Sequence, residues 1–308
     1  MKKILVTGAD LAPQALALLT DFEVVYAGKT PQENDLVALC KQHDPIAIIV
    51  RYGHITPLVI AAAPSLQVIS KHGSGTDTID REAANARGIA VVAAAGANAA
   101  AVAEQALALV LACAKSVVLL NGRMHAGHWD KATHKSVELS GRTVGVVGLG
   151  AIGSRFARMA DAMDMRVIGF DPFAKNLTPY VEPVSLEEIW RRSDVISLHC
   201  PLTDDNREMV NAKSLALCKP GLILVNTGRG GLIDEQALLE AVNTGQVAMA
   251  GLDAFSQEPP PKDHMFFGNP RLVLSPHIGG VTGDAYVNMG VASAKNILSA
   301  LGNVAHTA

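Results

Sequence analysis

The sequence predicts an α/β protein with two parallel-sheet domains, and three observations lead to that prediction. Short apolar segments of β type alternate with helical segments along the chain. Their apolar runs are continuous, which is typical of strands covered by helices on both faces of a parallel sheet. The length of 308 residues suits two domains, because single domains usually contain ~100–200 residues. A hydrophobic content of 49% and a net charge of −3 exclude a disordered chain.

The first part of the chain repeats one strand–helix unit. Strands are predicted at residues 4–7, 23–26, 46–50, 68–70 and 89–92. Helices are predicted between them at residues 13–19, 31–41, 57–62 and 80–87. Pro13, Pro31 and Pro57 stand where a first helical turn would begin, a position that tolerates proline. A long helix at residues 99–120, ended by Gly122, follows this repeat.

The second part of the chain continues the alternation with longer spacing. Strands are predicted at residues 143–147, 166–170, 195–198, 222–225, 247–252 and 272–274. A last helix is predicted at residues 284–301. Because the chain before residue 143 is too long to be an arm, it must form a domain of its own.

Charge and composition exclude several classes of protein. No run of Lys or Arg is longer than two, so the chain lacks the basic surface expected of a protein that binds nucleic acid or anionic membranes. No stretch of ~20 clean apolar residues predicts a membrane span, and the N-terminal apolar run is too short for a signal peptide. The four cysteines are scattered, which predicts neither disulfides nor a metal site. We therefore expect a cytoplasmic protein.

A glycine turn marks the start of the second sheet. Gly148, Gly150 and Gly153 follow an apolar strand and open a predicted helix at residues 151–163. Gly148 would allow a tight turn, Gly150 a close approach to a pyrophosphate, and Gly153 close packing of helix on strand. Since a helix N-terminus attracts phosphate, this turn predicts a dinucleotide site in a Rossmann-type, doubly wound sheet.

Asp171 predicts which dinucleotide binds. It ends the next strand, 21 positions after Gly150, about where an acid binds the adenosine ribose. A carboxylate there would repel a 2′-phosphate, and the following Pro172 and Phe173 supply no positive charge. We therefore expect NAD rather than NADP.

Polar or glycine-rich turns follow all six strands of the second sheet. Beyond the glycine turn and Asp171, the residues concerned are His199, Cys200 and Pro201; Asn226, Thr227, Gly228 and Arg229; Asp253; and Ser275, Pro276, His277, Ile278, Gly279 and Gly280. Ligands of open parallel sheets bind at the carboxyl ends of the strands. Any one of these turns could be an ordinary loop, but their concurrence at one edge indicates a site.

Three side chains at this edge have the chemistry of a reacting centre. Arg229 lies between glycines, with Asp234 as the expected N-cap of the next helix, and its guanidinium can hold a carboxylate at any pH. His277 can give a proton to a carbonyl and take it back, because imidazole titrates near neutrality. Glu258 lies in the loop after Asp253, and a carboxylate paired with an imidazole raises the pKa of the imidazole. Taken singly, Arg229 and Glu258 would also suit ordinary surface positions.

Taken together, these segments resemble the D-isomer-specific 2-hydroxyacid dehydrogenase family, which includes phosphoglycerate dehydrogenases and glyoxylate/hydroxypyruvate reductases. The resemblance covers nearly the whole chain. The segments that carry it are HGSGTDTID at 72–80, VAEQALALVL at 102–111, GLGAIG at 148–153, NTGRGGLIDEQAL at 226–238, GLDAFSQEP at 251–259 and SPHIGG at 275–280.

The resemblance implies an enzyme that transfers a hydride between NAD and a D-2-hydroxy acid or its 2-oxo acid. The catalytic residues implied are Arg229, Glu258 and His277. The cofactor-binding residues expected are Gly148, Gly150, Ala151, Ile152, Gly153, Asp171, Cys200, Pro201, Thr227, Gly228, Asp253, Gly279 and Gly280. The backbone N–H groups of Ser74 and Gly75 are implied to hold the substrate carboxylate.

The resemblance also implies a domain organisation. Residues 1–98 with 282–308 would form a smaller, flavodoxin-like substrate-binding (catalytic) domain, and residues 99–281 the NAD-binding domain. The long helix near residues 99–120 would mediate a homodimer.

Two cations bear on the choice of substrate. Arg51 matches a Val-Arg-Ser segment of the family, with Tyr52 replacing the serine, and Lys71 stands where phosphoglycerate dehydrogenases tend to have arginine. Both would suit a second anionic group on the substrate, as in 3-phosphoglycerate. Ordinary surface positions explain them equally well, so a glyoxylate or hydroxypyruvate reductase stays open.

A protein of another class is the remaining alternative. Some NAD-sensing transcriptional corepressors resemble this family in fold and even in site residues. They add flanking segments for partner binding, which the sequence does not show. We therefore expect the enzyme.

Overall fold

The computed structural model describes residues 1–174 and 178–305. Within them it has twelve strands: β1 (Lys2–Val6), β2 (Phe22–Tyr26), β3 (Ala47–Val50), β4 (Val68–Lys71), β5 (Ala90–Ala93), β6 (Thr143–Val147), β7 (Arg166–Phe170), β8 (Val181–Pro183), β9 (Val195–Leu198), β10 (Leu222–Asn226), β11 (Val247–Leu252) and β12 (Leu272–Leu274). It also has eleven α-helices: α1 (Pro13–Leu16), α2 (Glu33–His43), α3 (Pro57–Ala61), α4 (Arg81–Ala86), α5 (Ala99–Lys115), α6 (Val117–His125), α7 (Ala151–Asp161), α8 (Leu186–Arg192), α9 (Ala212–Leu217), α10 (Glu235–Thr244) and α11 (Gly283–Ala305).

The chain divides into two compact units. The first comprises Met1–Asn98 and Gly280–Ala308, and the second comprises Ala99–Gly279. Each unit contains one sheet whose strand pairings are all parallel. The α/β class predicted from the continuous apolar runs is confirmed.

The sheet of the first unit has the order β2-β1-β3-β4-β5. This is the flavodoxin-like arrangement, in which the order reverses between β1 and β3. All four residues of β3 are buried, because helices cover both faces of the sheet. One face packs on α2 and α3, and the other on α1 and α11.

Proline and hydroxyl side chains fix the starts of two short helices here. Pro13 and Pro57 occupy the first turns of α1 and α3, as predicted, and the Thr56 hydroxyl accepts a hydrogen bond from the backbone N–H of Val59. The prediction for Pro31 is wrong. Helix α2 begins later, at Glu33, since Gln32 serves as its N-cap in a capping box.

The sheet of the second unit has the order β12-β11-β10-β9-β6-β7-β8. The order reverses between β6 and β9, as in a Rossmann-type doubly wound sheet, which confirms that prediction. Strands β9 and β10 are buried throughout. The short edge strand β8 was not predicted from the sequence.

The single long helix predicted at residues 99–120 is wrong. Helix α5 ends at Lys115, and α6 leaves it at an angle of 60°. Ser116 takes a left-handed conformation (φ 51°), and a later part of the chain binds the last carbonyls of α5. The Ser136 hydroxyl donates a hydrogen bond to the Lys115 carbonyl at 3.2 Å, and the backbone N–H of Val137 donates one to the Ala114 carbonyl at 2.8 Å. Gly122, the predicted stop, lies inside α6.

Helix length and apolarity bear on membrane insertion. No single helix in the described part of the chain is long and apolar enough to cross a membrane, and only the bent pair α5–α6 meets those two criteria when counted together.

Candidate functional site

The glycine turn of the second unit joins β6 to α7. Gly148 has a φ of 89°, and a Cβ there would lie 2.7 Å from the backbone nitrogen of Cys200. A Cβ at Gly153 would lie 1.9 Å from the carbonyl oxygen of Gly148, so the helix packs on the turn more closely than any residue with a side chain would allow. At Gly150 a Cβ would meet nothing within 4 Å, so the space in front of the helix N-terminus is open.

Asp171 lies beside this turn, at the end of β7. One carboxylate oxygen accepts a hydrogen bond from the backbone N–H of Leu149 at 2.8 Å, and the other accepts from that of Phe173 at 2.9 Å. The acid is thereby held against the residue between Gly148 and Gly150. This position, one strand along from the turn, suits an adenosine ribose whose phosphates lie at the turn.

The segment after β9, which contains His199, Cys200 and Pro201, packs against the glycine turn. The His199 ring packs on Phe156 at 5.1 Å between centroids, and its Nε2 lies 2.9 Å from the Ser197 hydroxyl. Burial lowers the pKa of His199 to about 3, so the ring is neutral. Burial likewise raises the pKa of Cys200 to about 11. The carbonyl of Pro201 accepts a hydrogen bond from Asn206 at 2.7 Å.

Thr227 offers an unused hydroxyl at the end of β10. The residue is only 7% exposed, and its Oγ1 finds no hydrogen-bond partner among the described residues. An orphaned buried hydroxyl at the carboxyl end of a strand is the kind of group that a bound ligand satisfies. Together with the open space at Gly150, it shows that this edge fits a dinucleotide.

The turn that carries Arg229 is built by a buried asparagine. The side-chain amide of Asn226 donates to the Arg229 carbonyl at 2.9 Å, and its oxygen accepts from the Gly228 N–H at 2.9 Å. The Asp234 carboxylate caps α10, as predicted, by accepting from the Ala237 N–H. A Cβ at Gly230 would lie 1.8 Å from the backbone of Phe255, so the turn packs directly on the loop that leads to Glu258.

Asp253 is the buried anchor of the loop that carries His277. Its carboxylate accepts hydrogen bonds from the Ser275 hydroxyl at 2.5 Å and from the backbone N–H groups of Ile278 at 3.0 Å and Gly279 at 2.8 Å. Gln105 donates to the same Ser275 hydroxyl at 3.1 Å. The Asp253 oxygens are therefore committed to positioning the loop, a role that the sequence did not predict.

Glu258 and His277, which the sequence paired by chemistry, are hydrogen-bonded. Oε2 of Glu258 lies 2.6 Å from Nδ1 of His277, and Oε1 accepts from the Phe255 N–H at 3.0 Å. The two side chains are 36% and 44% exposed, so the outer face of the imidazole is open to a ligand. With Nδ1 facing the acid, Nε2 is the nitrogen left for proton transfer.

The pKa values of this pair are displaced in opposite directions. The hydrogen bond to Glu258 raises the pKa of His277 and outweighs burial and the charge of Arg229, which lower it. Burial alone would raise the pKa of Glu258, but the hydrogen bonds from His277 and Phe255 overcome it and lower that pKa. The guanidinium of Arg229 acts on both groups, so the structure brings all three predicted catalytic residues within electrostatic reach.

A second acid–imidazole pair holds the loop that carries Glu258. The Glu235 carboxylate accepts from the backbone N–H of Ser256 at 2.9 Å and from its hydroxyl at 2.8 Å, and lies 3.2 Å from Nε2 of His264. Neither residue was predicted from the sequence. Their only sequence signal is that Glu235 follows the expected N-cap Asp234.

The predicted substrate residues lie in the first unit, at the carboxyl edge of its own sheet. Lys71 ends β4, and its ammonium donates to the Arg51 carbonyl at 3.5 Å. The Ser74 hydroxyl donates to Asn98 at 3.1 Å, and Gly75 follows in the same loop. Gly280, predicted to contact the cofactor, belongs to this unit too, where a Cβ would lie 2.7 Å from Asn98.

Sequence reasoning missed Asp10 and Tyr286 as partners of Arg51. The Arg51 guanidinium donates to the Asp10 carboxylate, and the Tyr286 hydroxyl donates to the same oxygen at 2.9 Å. Applying the strand-end rule to the first sheet would have found Asp10, which lies in the loop after β1. No pattern in the sequence points to Tyr286.

Comparison with known proteins identifies a family. The family described as D-isomer specific 2-hydroxyacid dehydrogenase, NAD binding domain, matches residues 107–279. A hydroxypyruvate reductase from Thermotoga maritima is 36% identical over 287 residues, which are 92% of this chain and 94% of that protein. A D-3-phosphoglycerate dehydrogenase from Methanocaldococcus jannaschii is 37% identical over 98% of this chain, which spans only 58% of that protein.

Solved structures are similar as well. A glyoxylate reductase from Paecilomyes thermophila superimposes with a TM-score of 0.87 at 32% identity, covering 97% of this chain and 95% of that one. The resemblance predicted from the sequence motifs is therefore confirmed at the level of the family.

Proposed function

This chain belongs to the D-isomer specific 2-hydroxyacid dehydrogenase family, and we propose that it interconverts a 2-oxo acid and a D-2-hydroxy acid with NAD as the hydride carrier. The observation that carries the proposal is the hydrogen bond between Glu258 and the exposed imidazole of His277. An acid that raises the pKa of an imidazole favours its protonated form, which suits the reduction of a carbonyl because that reaction consumes one proton for each hydride.

His277 is the proposed acid and base. In the direction of reduction, its Nε2 gives a proton to the carbonyl oxygen of the 2-oxo acid, while Nδ1 stays bonded to Glu258. In the direction of oxidation, the neutral imidazole takes that proton from the hydroxyl. Glu258 does not transfer the proton itself; it stabilises the imidazolium and fixes the ring orientation.

Arg229 is proposed to bind and polarise the carbonyl. The oxygen of the substrate gains negative charge as the carbon is reduced, and a guanidinium stabilises that charge without losing its own. The same side chain can also hold the neighbouring carboxylate through a second N–H.

NAD is proposed to lie along the carboxyl edge of the second sheet. A bound nicotinamide supplies or accepts the hydride. The open helix N-terminus at Gly150 would hold the pyrophosphate with Ala151 and Ile152, and the Asp171 carboxylate would accept hydrogen bonds from the ribose hydroxyls. The buried Thr227 hydroxyl would gain the partner that it lacks within the described protein.

The two units are proposed to bind different ligands. The second unit is the NAD-binding domain and the first, with Ser74 and Gly75, the substrate-binding domain. Two substrate classes are proposed: acids with a second anionic group, such as 3-phosphoglycerate, and acids without one, such as glyoxylate and hydroxypyruvate. The choice between them depends on whether the Arg51 guanidinium can bind that second group.

The experiment is steady-state oxidation of NADH with glyoxylate, hydroxypyruvate, pyruvate and 3-phosphohydroxypyruvate, followed by NADH absorbance. We expect turnover of at least one of these acids, and a loss of kcat/KM of at least about 10²-fold in Arg229→Ala. Arg166→Ala removes an exposed arginine at the start of β7 and should have no effect. Absence of turnover by the wild-type chain, or full activity of Arg229→Ala, would refute the proposal.

The chain is further proposed to act as a cytoplasmic homodimer. Four free cysteines suit a reducing compartment. Exposed apolar side chains on and near α6 would be covered by a second copy: Val117, Val118, Met124 and Trp129. Light scattering after size exclusion should give twice the chain mass of 32.3 kDa; the chain mass itself would refute the dimer.

A further inference from the structure

The Arg51 guanidinium is already bound to an anion of its own unit. Its Nη1 donates to the backbone carbonyl of Asp10 at 2.6 Å and to the Asp10 carboxylate. The Tyr286 hydroxyl donates to the same carboxylate oxygen at 2.9 Å. The cation predicted to meet a second anionic group on the substrate therefore has an internal counter-ion.

The cation of this ion pair is largely shielded from water. The Arg51 side chain is only 12% exposed, whereas that of Asp10 is 67% exposed. The guanidinium carbon lies 4.9 Å from the ring centre of Tyr286 and 5.3 Å from that of Tyr52, so aromatic rings cover much of the cation. Because the guanidinium has little access to water, it depends on these protein partners for its interactions, whereas the exposed Asp10 carboxylate keeps much of its hydration.

The pair lies where a ligand of this unit is expected. Asp10 is in the loop after β1, and Arg51 directly follows β3, the two neighbouring strands between which the order of the sheet reverses. Open parallel sheets bind ligands outside the carboxyl ends of the strands at this point. The proposed substrate loop with Ser74 and Gly75 follows β4, the next strand of the sheet.

We propose that Asp10 determines substrate specificity: its carboxylate occupies the Arg51 guanidinium and disfavours 2-oxo acids that carry a second anionic group. The inference rests on the proposed function and decides between its two substrate classes. A phosphate, sulfonate or distal carboxylate approaching Arg51 would have to displace Asp10 or lie against a like charge. A hydrogen atom or a hydroxymethyl group, as in glyoxylate or hydroxypyruvate, meets no such repulsion.

Two further features keep the Asp10 charge in place. Hydrogen bonds from Tyr286 and Arg51 lower the pKa of the Asp10 carboxyl, so it is ionised at neutral pH. The neighbouring His72 is neutral, because burial and the charge of Arg51 lower its pKa to about 4. Protonated histidine therefore does not compensate the carboxylate.

The test compares matched substrates and matched variants. Asp10→Asn removes the charge but keeps an oxygen that can accept from Arg51 and Tyr286. Asp21→Asn makes the same change in net charge at an exposed position of the same unit. For each full-length variant, kcat/KM is measured with hydroxypyruvate and with 3-phosphohydroxypyruvate, and calorimetry measures the binding of D-glycerate and D-3-phosphoglycerate without turnover.

We expect the wild-type chain to prefer hydroxypyruvate. Asp10→Asn should raise the ratio of phosphorylated to unphosphorylated kcat/KM at least about tenfold, while Asp21→Asn leaves it unchanged. Adding Arg51→Gln to Asp10→Asn should abolish the gain. Equal ratios in the two single variants, or a wild-type preference for the phosphorylated acid, would overturn the inference.

The calorimetric arm separates this inference from the proposed function. If the wild-type chain reduces no 2-oxo acid, the proposed function fails, and the binding ratio alone decides the role of Asp10. The inference about Asp10 would be overturned if Asp10→Asn left the ratio of the two affinities unchanged. It would also be overturned if neither D-glycerate nor D-3-phosphoglycerate bound to Asp10→Asn or Asp21→Asn.

Discussion

Nδ1 of His277 and Oε2 of Glu258 lie 2.6 Å apart, on two loops that share no secondary structure. His277 has a φ of 52°, a left-handed conformation that is uncommon for a residue other than glycine. Such a conformation persists only when surrounding contacts enforce it, and it is concentrated at functional sites. Here the Asp253 carboxylate enforces it by binding Ser275, Ile278 and Gly279 on either side.

Glu258→Gln should shift the pH dependence of reduction. The reaction needs the protonated imidazole, whose fraction falls as the pH rises through the pKa of His277. Since Glu258 raises that pKa, its neutral analogue should lower the apparent pKa of reduction, so that activity is lost at a lower pH. The measurement is the pH profile of kcat/KM for the best 2-oxo acid with NADH.

The control for this variant is Glu240→Gln. Glu240 is an exposed acid of α10 that accepts a hydrogen bond from Gln236, and its neutralisation should leave the profile unchanged. If Glu258→Gln and Glu240→Gln gave the same profile as the wild-type chain, Glu258 would have no part in setting the pKa of the reacting imidazole.

Asp171→Asn should weaken the discrimination between NADH and NADPH. The carboxylate lies beside the glycine turn, where it would accept hydrogen bonds from the ribose hydroxyls and repel a 2′-phosphate. We expect the wild-type chain to prefer NADH, and the variant to lower the ratio of NADH to NADPH efficiency at least about tenfold. Comparable efficiency with both cofactors in the wild-type chain would contradict the prediction.

How much the sequence could predict depends on whether a feature is local. The glycine turn, the buried strands and the residues that follow them are encoded by neighbouring residues, so the pattern located the edge where Arg229 and His277 lie. The break at Ser116 is not local, because Ser136 and Val137 bind the last carbonyls of α5 from a distant part of the chain. A helical pattern continues across the break and conceals it.

The candidate site divides in the same way. Glu258 and His277 could be paired from their chemistry, since a carboxylate beside an imidazole has a recognisable purpose. That Asp253 contacts the cofactor stays a prediction, and nothing in the sequence indicated that its carboxylate binds the loop around His277. The bond between Asp10 and Tyr286 joins residues 276 positions apart, beyond the reach of any sequence pattern.

Alanine at two positions of the glycine turn should separate cofactor binding from folding. In Gly150→Ala the new Cβ meets no protein atom within 4 Å, so the free energy of unfolding should change little, while the affinity for NADH falls as the methyl enters the pyrophosphate space. In Gly153→Ala the Cβ would lie 1.9 Å from the Gly148 carbonyl, so the turn must move, at a cost of about 1–3 kcal/mol in stability.

Denaturant unfolding and a fluorescence titration with NADH would measure the two effects. A loss of stability in Gly150→Ala as large as that in Gly153→Ala would show that the space at residue 150 serves packing and not a ligand.

Asp253→Ala should impair catalysis by releasing the loop that carries His277. The buried carboxylate accepts hydrogen bonds from Ser275, Ile278 and Gly279, and its removal leaves the buried N–H of Gly279 unsatisfied, which costs about 1–3 kcal/mol of unfolding free energy. Without the anchor, the left-handed conformation at His277 relaxes and the imidazole leaves Glu258. We expect kcat to fall and the raised apparent pKa of reduction to return toward that of a free imidazole. The pH profile measures that pKa, and denaturant unfolding measures the loss of stability.

The control is Asp263→Asn, at a loop position exposed to solvent, which should change neither the pH profile nor the stability. A variant that lost stability but kept the wild-type pH profile would show that Asp253 supports the fold without positioning the imidazole.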